Sequence, residues 1–483
     1  MKPIGRVADG ATETSATVIL YRDLEKELSA ENIILIKNGG DENPVNEVLG
    51  VLRRGVGRNE FLSASSYRPD VAYMRYGGEP SGSREVFSFQ ISLIGALERG
   101  EKKIRPNKRI ISPRSPVYLF EGDANPLREY VAPSAKKLSW LNAHLDGHPE
   151  WKIPADATYI PYHVGVFGST GTGKSWFARY VLIPFYIKNG YRTLILDWSG
   201  EDYAPYFKEQ TVHISRLAHG EEAMLKYLSQ VTDNFGDNNN VKDAFDEFLE
   251  VWMERIKGKG AEELYKELKE HVVKSISSIG RADWKSSADR AMRRVFRKLK
   301  PEHIVPLMGT VTIEEFLSEV EKLRVIDMSG FPNYTKLSFF LTLSMRLQEL
   351  MNVERDLSMA LVIDEAPQYV PFKPEGIQQS ATEEIKNLAA LGRKHNLNLT
   401  LIAQGIAGEI GINAAVRRNL NTNFYGRLHP LDASGEGGAK DWLGPYGITP
   451  EYMLNLEDGR FYFAGIMNPS PIPLLTTFEP GEG

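Results

Sequence analysis

The chain contains no cysteine among its 483 residues. This absence excludes disulfide bonds, thiolate metal sites and cysteine nucleophiles. No apolar run reaches the roughly 18 residues of a membrane-spanning helix, and the first residues lack the apolar stretch of a signal peptide. We therefore expect a soluble, cytoplasmic protein with no membrane partner.

A strong net charge is also lacking, since the formal net charge is −5. Hydrophobic residues make up 42% and charged residues 25%, which are ordinary values for a globular protein. The length predicts two or three domains. A protein that binds DNA with its whole surface is usually basic, so a DNA contact here needs a local concentration of positive charge.

The first part of the chain is rich in short runs of β-branched and apolar residues, separated by turns that contain Gly, Asn, Asp and Pro. These runs lie at residues 4–7, 16–21, 32–36, 48–52 and 86–94. Short strands at such spacing predict a small barrel or sandwich. We place this N-terminal β-barrel at residues 1–125, followed by a polar connection.

From about residue 160 the pattern changes to strands that alternate with helices, which favours an α/β fold with a mostly parallel sheet. Near-continuous apolar runs predict strands at residues 163–167, 193–197, 323–328, 360–364 and 398–403. We assign the α/β core to residues 126–204 and 316–465, a helical insertion to residues 205–315 and a C-terminal tail to residues 466–483.

Residues 168–175 fit the phosphate-binding pattern G-x-x-x-x-G-K-[ST] without a mismatch. Its glycines let backbone N–H groups curl around a phosphate, Lys174 can reach the β- and γ-phosphates, and the Ser175 hydroxyl can bind Mg²⁺. A Gly-rich turn without a ligand is the alternative. The predicted nucleotide-binding residues are Ser169, Thr170, Gly171, Thr172, Gly173, Lys174, Ser175 and Trp176.

A second apolar strand ends in Asp364 and Glu365, as a Walker B strand does. Asp364 would hold Mg²⁺ and Glu365 would act as general base on the attacking water. Gln404 ends a third apolar strand, where a polar side chain would point toward the γ-phosphate. Many buried strands end in acids or amides without a ligand, but the pairing with a P-loop makes the pattern specific.

The strand after the P-loop helix ends in Asp197, with Glu201 shortly after it. These two acids could couple the site to a neighbouring subunit, or they could serve only the chemistry of their loop. The order of the strands, and the Glu that directly follows Asp364, are typical of the RecA-like division of P-loop ATPases.

With these motifs the chain resembles the HerA branch of the HerA–FtsK DNA translocases. The N-terminal strands resemble that family's HAS barrel, and residues 194–203 are similar to its D-x-x-G-E-Y stretch. The resemblance continues through residues 364–366, 391–394 and 403–404. Two departures, Tyr162-His163 before the P-loop strand and Gly405-Ile406 after Gln404, indicate a divergent branch.

The resemblance implies a ring, usually a homo-hexamer, with ATP at the subunit interfaces and double-stranded DNA through the centre. Arg393 falls where the family has its trans-acting arginine finger, which would stabilise charge on the γ-phosphate of the adjacent subunit. A surface arginine at a helix C-terminus is the alternative, and Arg417 and Arg418 compete for the role.

Residues 281–300 carry eight basic side chains against two acidic ones. A pore-facing element of this kind would make phosphate contacts independent of base sequence. A solvated helix face and a contact between subunits are the alternatives. The candidate DNA contacts are Arg290, Arg293, Arg294 and Arg297.

These features together predict an ATPase with Mg²⁺ as cofactor, a double-stranded DNA translocase or helicase of the HerA type. The resemblance implies that a nuclease or another effector docks on the barrel, in DNA end processing or antiphage defence. One alternative is a packaging or conjugative-transfer motor. Another is a ring scaffold that uses ATP only to assemble an effector enzyme.

Overall fold

The computed structural model describes residues 1–42, 44–63, 68–79, 84–97, 103–408 and 410–479. The last four residues of the predicted tail lie outside this range. In the described part, two sheets of seven and eleven strands carry the fold.

The N-terminal sheet is a closed barrel, as predicted. Its order is β2-β1-β7-β3-β4-β5, an additional β2–β5 pairing closes the ring, and β6 lies outside on β5. The strands are β1 (Lys2–Val7), β2 (Ser15–Leu20), β3 (Ile33–Asn38), β4 (Asn46–Arg58), β5 (Val86–Leu97), β6 (Ile104–Arg105) and β7 (Pro116–Leu119). Apolar side chains such as Ile4, Val18 and Ile91 fill its interior. The sequence revealed only the buried half of β4, because its second half is exposed and polar.

The second sheet confirms the predicted α/β class. Its order is β12-β13-β11-β14-β15-β10-β16-β17-β18-β8-β9, parallel from β12 to β16 and antiparallel beyond. The strands are β8 (Leu138–Leu145), β9 (His148–Asp156), β10 (Val164–Phe167), β11 (Arg192–Asp197), β12 (Thr211–His213), β13 (Leu323–Asp327), β14 (Met359–Ile363), β15 (Leu397–Ala403), β16 (Thr422–Tyr425), β17 (Arg460–Gly465) and β18 (Leu474–Thr477).

Four strands of this sheet lie in segments for which the sequence predicted no strand. β8 and β9 lie in the polar connection that opens the predicted core, β12 lies in the predicted helical insertion, and β18 lies in the predicted tail. β12 and β18 are only three and four residues long. β8 buries only alternate side chains, so its apolar signal is weak. Part of the predicted tail is therefore paired into the sheet through β18.

The helices cover both faces of the parallel strands and form the insertion. Their bounds are Pro69–Arg75, Lys174–Phe177, Ile183–Lys188, Glu221–Val231, Asn239–Leu249, Trp252–Arg255, Ala261–Ser277, Ala282–Lys298, Ile313–Ser318, Asn333–Val353, Ile377–Gly392, Ala414–Arg417, Pro430–Ser434, Ala439–Leu443 and Pro450–Leu454. Among the described residues no helix combines the length and the apolar character that a bilayer crossing requires.

The P-loop helix is continuous through residues 174–188, but its middle turn, Ala178–Leu182, is a π-helix. Pro184 lacks the N–H that would bond to the carbonyl of Tyr180, and its ring would crowd that carbonyl. The wider π turn accommodates this conflict without breaking the helix.

The insertion has a hydrophobic core of its own, built around side chains such as Phe245, Leu264 and Val295. A turn at Asp233–Asp237 interrupts its helices, and five consecutive residues there have left-handed backbone angles. The insertion therefore packs as a distinct helical unit beside the sheet.

Candidate nucleotide site

The P-loop connects the carboxyl end of β10 to the helix that begins at Lys174. Gly171 and Gly173 have φ values of +82° and +88°, which side chains rarely adopt. The Thr172 hydroxyl donates to the Ser169 carbonyl over 2.9 Å and closes the loop on itself. Because the first N–H groups of a helix lack intrahelical acceptors, the loop presents an anion site to its concave side.

Two neighbouring loops brace the P-loop from outside. The Ser169 backbone N–H donates to the Arg427 carbonyl over 2.7 Å, just after β16. The Gly459 N–H, just before β17, donates to the Thr172 carbonyl over 3.0 Å. The Arg427 guanidinium also pairs with the Asp458 carboxylate at 2.9 Å, so the two bracing loops are joined.

Lys174 lies across the mouth of the loop, and its Nζ donates to the Ser169 carbonyl over 3.2 Å. Burial lowers the pKa of Lys174, while the carboxylates of Glu365, Asp364 and Asp202 oppose that shift. The ammonium group is therefore the positive charge that faces the acidic edge of the sheet. Trp176, two residues further along the helix, is 42% exposed.

Asp364 follows β14, whose five residues are all buried, and is itself only 4% exposed. Its Oδ2 has no hydrogen-bond partner among the described residues. Burial raises the pKa of Asp364 well above the usual range, and the nearby Asp202, Glu365 and Asp197 add to the shift. An orphaned carboxylate oxygen in this setting is suited to a divalent cation.

Glu365 has a left-handed backbone (φ 47°), which is uncommon for a residue with a side chain. Its Oε1 accepts a hydrogen bond from Gln404 Nε2 over 3.0 Å. The Thr170 hydroxyl donates to Gln404 Oε1 over 3.2 Å. Since β15 lies between β10 and β14, Gln404 joins the P-loop directly to the acid that follows β14.

Two side chains hold the loop after Gln404, and the sequence analysis did not foresee this contact for either of them. Asp432 Oδ1 accepts from the backbone N–H groups of Ile406 and Ala407 over 2.7 and 3.0 Å. Arg417, a competitor for the finger role, is half-buried and donates to the Ile406 carbonyl. Arg418, the other competitor, is exposed.

Asp197 is fully buried and accepts backbone hydrogen bonds from Gly200, Tyr203 and Ala204 over 2.9–3.0 Å. Both of its oxygens therefore close its own loop, as the loop alternative of the sequence analysis describes. Glu201 is exposed, whereas the next residue, Asp202, is the carboxylate close enough to perturb Asp364 and Lys174.

The comparisons with known proteins agree with this geometry. Residues 144–347 match the family model described as "Helicase HerA, central domain". Residues 144–347 are thus similar to the central domain of HerA helicases. The match includes the P-loop and the Asp197 loop, while Asp364, Glu365 and Gln404 lie beyond it. No curated protein sequence matches the chain.

Solved structures similar to this chain share little sequence identity with it. The bacterial conjugative coupling protein TrwB has a TM-score of 0.44 at 14% identity, over 68% of this chain and 87% of that chain. VirB4 of Thermoanaerobacter pseudethanolicus has a TM-score of 0.48 at 15% identity, over 72% and 98%. The genome packaging NTPase B204 from Sulfolobus turreted icosahedral virus 2 has a TM-score of 0.33 at 10% identity, over 66% and 98%.

Arg393 lies at the opposite end of the parallel strands from the P-loop. It begins the turn Arg393–His395 just before β15, and its exposed guanidinium stacks on Tyr162 at 5.0 Å. Seven residues of β15 separate this end from Gln404, which is about 23 Å of extended chain. Arg393 is thus far from the P-loop of its own subunit.

The predicted basic segment forms the helix Ala282–Lys298, which packs on the insertion through Ala288, Ala291 and Val295. Four exposed arginines at helical spacing share its outer face, and we call them the arginine face: Arg290, Arg293, Arg294 and Arg297. Arg294 also donates to the Gly236 carbonyl over 2.8 Å.

We expect Asp364→Asn to stabilise the nucleotide-free protein at pH 8. The carboxyl of Asp364 binds its proton more tightly in the folded protein than in the unfolded chain. Its contribution to the free energy of unfolding therefore declines as pH rises from about 4, the unfolded pKa, to the raised pKa of the folded state. Asp364→Asn has no such decline, so its free energy of unfolding at pH 8 should exceed that of the wild type by about 1 kcal/mol, roughly 2 °C in Tm. Thermal unfolding at pH 8 and pH 5 measures it, and the gain should shrink at pH 5.

Asp356→Asn is the control of opposite sign. Partial burial opposes it, but hydrogen bonds from Ser358 and Asn396 lower the pKa of Asp356. This carboxylate therefore stabilises the fold above its unfolded pKa, and its removal should lower Tm at pH 8. A lower Tm for Asp364→Asn at pH 8 would contradict the burial argument for Asp364.

Proposed function

We propose that this chain is an ATP-driven translocase of double-stranded DNA that works as a ring. The ATPase part of the proposal rests on two hydrogen bonds, from Thr170 to Gln404 and from Gln404 to Glu365. They lie beside Asp364 Oδ2, which has no partner among the described residues. They join a phosphate-binding loop, a bridging amide and a carboxylate base at one edge of the sheet.

In this proposal the P-loop, Ser169 to Trp176, binds the phosphates through its backbone N–H groups and the Lys174 ammonium. The Ser175 hydroxyl and Asp364 fit Mg²⁺, since Asp364 Oδ2 is buried and has no partner among the described residues. Bound Mg²⁺ would supply neutralisation of charge on the β- and γ-phosphate oxygens. Glu365 accepts a proton from the attacking water, and Gln404 holds Glu365 in place.

The position of Arg393 supports the ring. A heterologous interface joins opposite sides of identical subunits, so a group far from its own P-loop can reach the P-loop of a neighbour. We therefore assign Arg393 the role of a finger that acts in trans, in a homo-hexamer. The Tyr162 ring holds its guanidinium by a cation–π contact.

The arginine face is the surface we assign to DNA. Its four exposed guanidinium groups stand on one side of one helix, where they can contact successive phosphates without reading bases. We assign the barrel to the partner nuclease or effector. Tyr73, Met74 and Tyr76 give the barrel exposed apolar side chains for such a contact.

We expect the triple variant Arg290→Ala, Arg293→Ala, Arg297→Ala to weaken duplex binding and to reduce DNA stimulation of ATP hydrolysis. Each lost phosphate contact should lower the slope of log K against log salt by about 1, so by about 3 in total. Arg294 is kept because it bonds Gly236. Fluorescence anisotropy with a duplex at several salt concentrations measures the slope.

The matched control is Lys242→Ala, Lys257→Ala, Lys274→Ala, which removes three exposed positive charges from the same helical unit. Its salt slope should equal that of the wild type. Equal slopes in both triple variants and the wild type would remove the arginine face from the DNA path.

A further inference from the structure

A buried charged cluster joins the barrel to the ATPase sheet. Glu31 and Arg53 of the barrel are 6% and 2% exposed and form an ion pair. The Tyr462 hydroxyl, on β17, donates to Glu31 Oε1 over 2.8 Å. Arg53 Nη2 donates to the Pro473 carbonyl, just before β18, over 2.8 Å. The cluster is thus shared equally between the two units.

The charges of Glu31 and Arg53 depend on each other. Burial lowers the pKa of Arg53 to about 10, so its guanidinium stays charged at neutral pH. Burial also raises the pKa of Tyr462, which keeps its hydroxyl a donor. Since a buried charge without a partner is strongly destabilising, the barrel cannot shift on the sheet unless the whole cluster rearranges.

The same strand leads directly to the P-loop. β17 begins at Arg460, next to Gly459, whose N–H donates to the Thr172 carbonyl over 3.0 Å. Asp458 pairs with Arg427, and the Arg427 carbonyl accepts from Ser169. Tyr462 is three residues from Gly459, so the junction and the phosphate loop are the two ends of one short, bonded segment.

We infer that the barrel positions the phosphate loop through Tyr462 and residues 457–460, so that a partner bound to the barrel changes nucleotide affinity. The inference rests on the proposed function of the same site. Glu31, Arg53 and Tyr462 are positioning residues, because none of them contacts the P-loop directly. Glu365 and Gln404 follow β14 and β15, on the other side of β10, so the chemical step is affected less than nucleotide binding.

Tyr462→Phe removes the hydroxyl and keeps the ring that packs beside Arg53. A hydrogen bond to a charged group is worth about a tenfold to a hundredfold change in an equilibrium. We expect part of this change to reach the nucleotide site, as about a fivefold rise in KM for ATP, while kcat stays within about twofold of the wild type. The control is Tyr118→Phe, which removes a tyrosine–carboxylate bond to Asp41 at the exposed surface of the barrel. Its KM should match the wild type.

Equal KM values for the two variants would overturn the inference, and so would a fall in kcat at unchanged KM. Hydrogen exchange on the full wild-type chain gives a second test without any substitution. A non-hydrolysable ATP analogue should protect peptides that contain Thr172, Gly459 and Arg53.

Protection of the Thr172 peptide without any change at Arg53 would overturn the inference and leave the nucleotide site intact. No protection at Thr172 would instead overturn the nucleotide site itself, and the inference with it. The two failures are therefore distinguishable.

Discussion

Lys174→Ala should reduce ATP hydrolysis by a factor of about 10²–10³ or more, the loss typical when one charge-stabilising donor leaves an active site. Lys174 is the positive charge between the Ser169 carbonyl and the carboxylates of Glu365 and Asp364. In the proposed function Lys174 contacts the β- and γ-phosphates, so the substitution removes that charge. Phosphate release at saturating Mg²⁺-ATP measures the effect.

The matched control is Lys188→Ala, at the exposed C-terminal end of the same helical segment. It removes the same charge far from the loop and should hydrolyse ATP at the wild-type rate. If Lys174→Ala kept wild-type turnover, the phosphate site could not lie at residues 168–175.

Arg393→Ala should reduce turnover by about 10³–10⁵-fold, the range typical of an arginine finger. Nucleotide binding to the P-loop should stay within about twofold, because Arg393 lies at the far edge of its own sheet. Turnover and equilibrium binding of a fluorescent ATP analogue separate the two effects. Arg418→Ala, another exposed arginine, should leave both unchanged.

Mixing two inactive proteins tests whether the finger acts in trans. Arg393→Ala subunits keep Glu365, and Glu365→Ala subunits keep Arg393. In a random equal mixture about a quarter of the interfaces combine both intact groups, so activity should return. If the mixture stayed inactive after subunit exchange had been verified, Arg393 would act elsewhere.

The sequence was sufficient to locate candidate site residues where one short stretch contains both a strand and the functional side chain that follows it. Thr170, Lys174, Glu365 and Gln404 each stand at the end of an apolar strand or in the loop after it, so motif spacing located them. The structure brings them together because parallel strands end at one edge of a sheet. The barrel was predictable for the same reason, since alternating apolar residues fill its interior.

The sequence could not predict features that depend on the orientation of a side chain or on a contact between residues far apart in the chain. Asp202 rather than Glu201 faces the site because Asp197 draws three backbone N–H groups onto its carboxylate and fixes the loop. The bond between Tyr462 and Glu31 joins residues 431 positions apart, so no local pattern reveals it. Likewise, Asp432 and Arg417 hold the loop after Gln404 from separate helices.

Displacement of a third strand from a DNA triplex tests most directly whether this ATPase moves along duplex DNA. The wild-type protein should displace the strand only when ATP and Mg²⁺ are present, and Glu365→Ala should bind the duplex without displacing it. A wild-type protein that hydrolyses ATP at a rate independent of duplex DNA, and leaves the third strand in place, would contradict the proposed translocase.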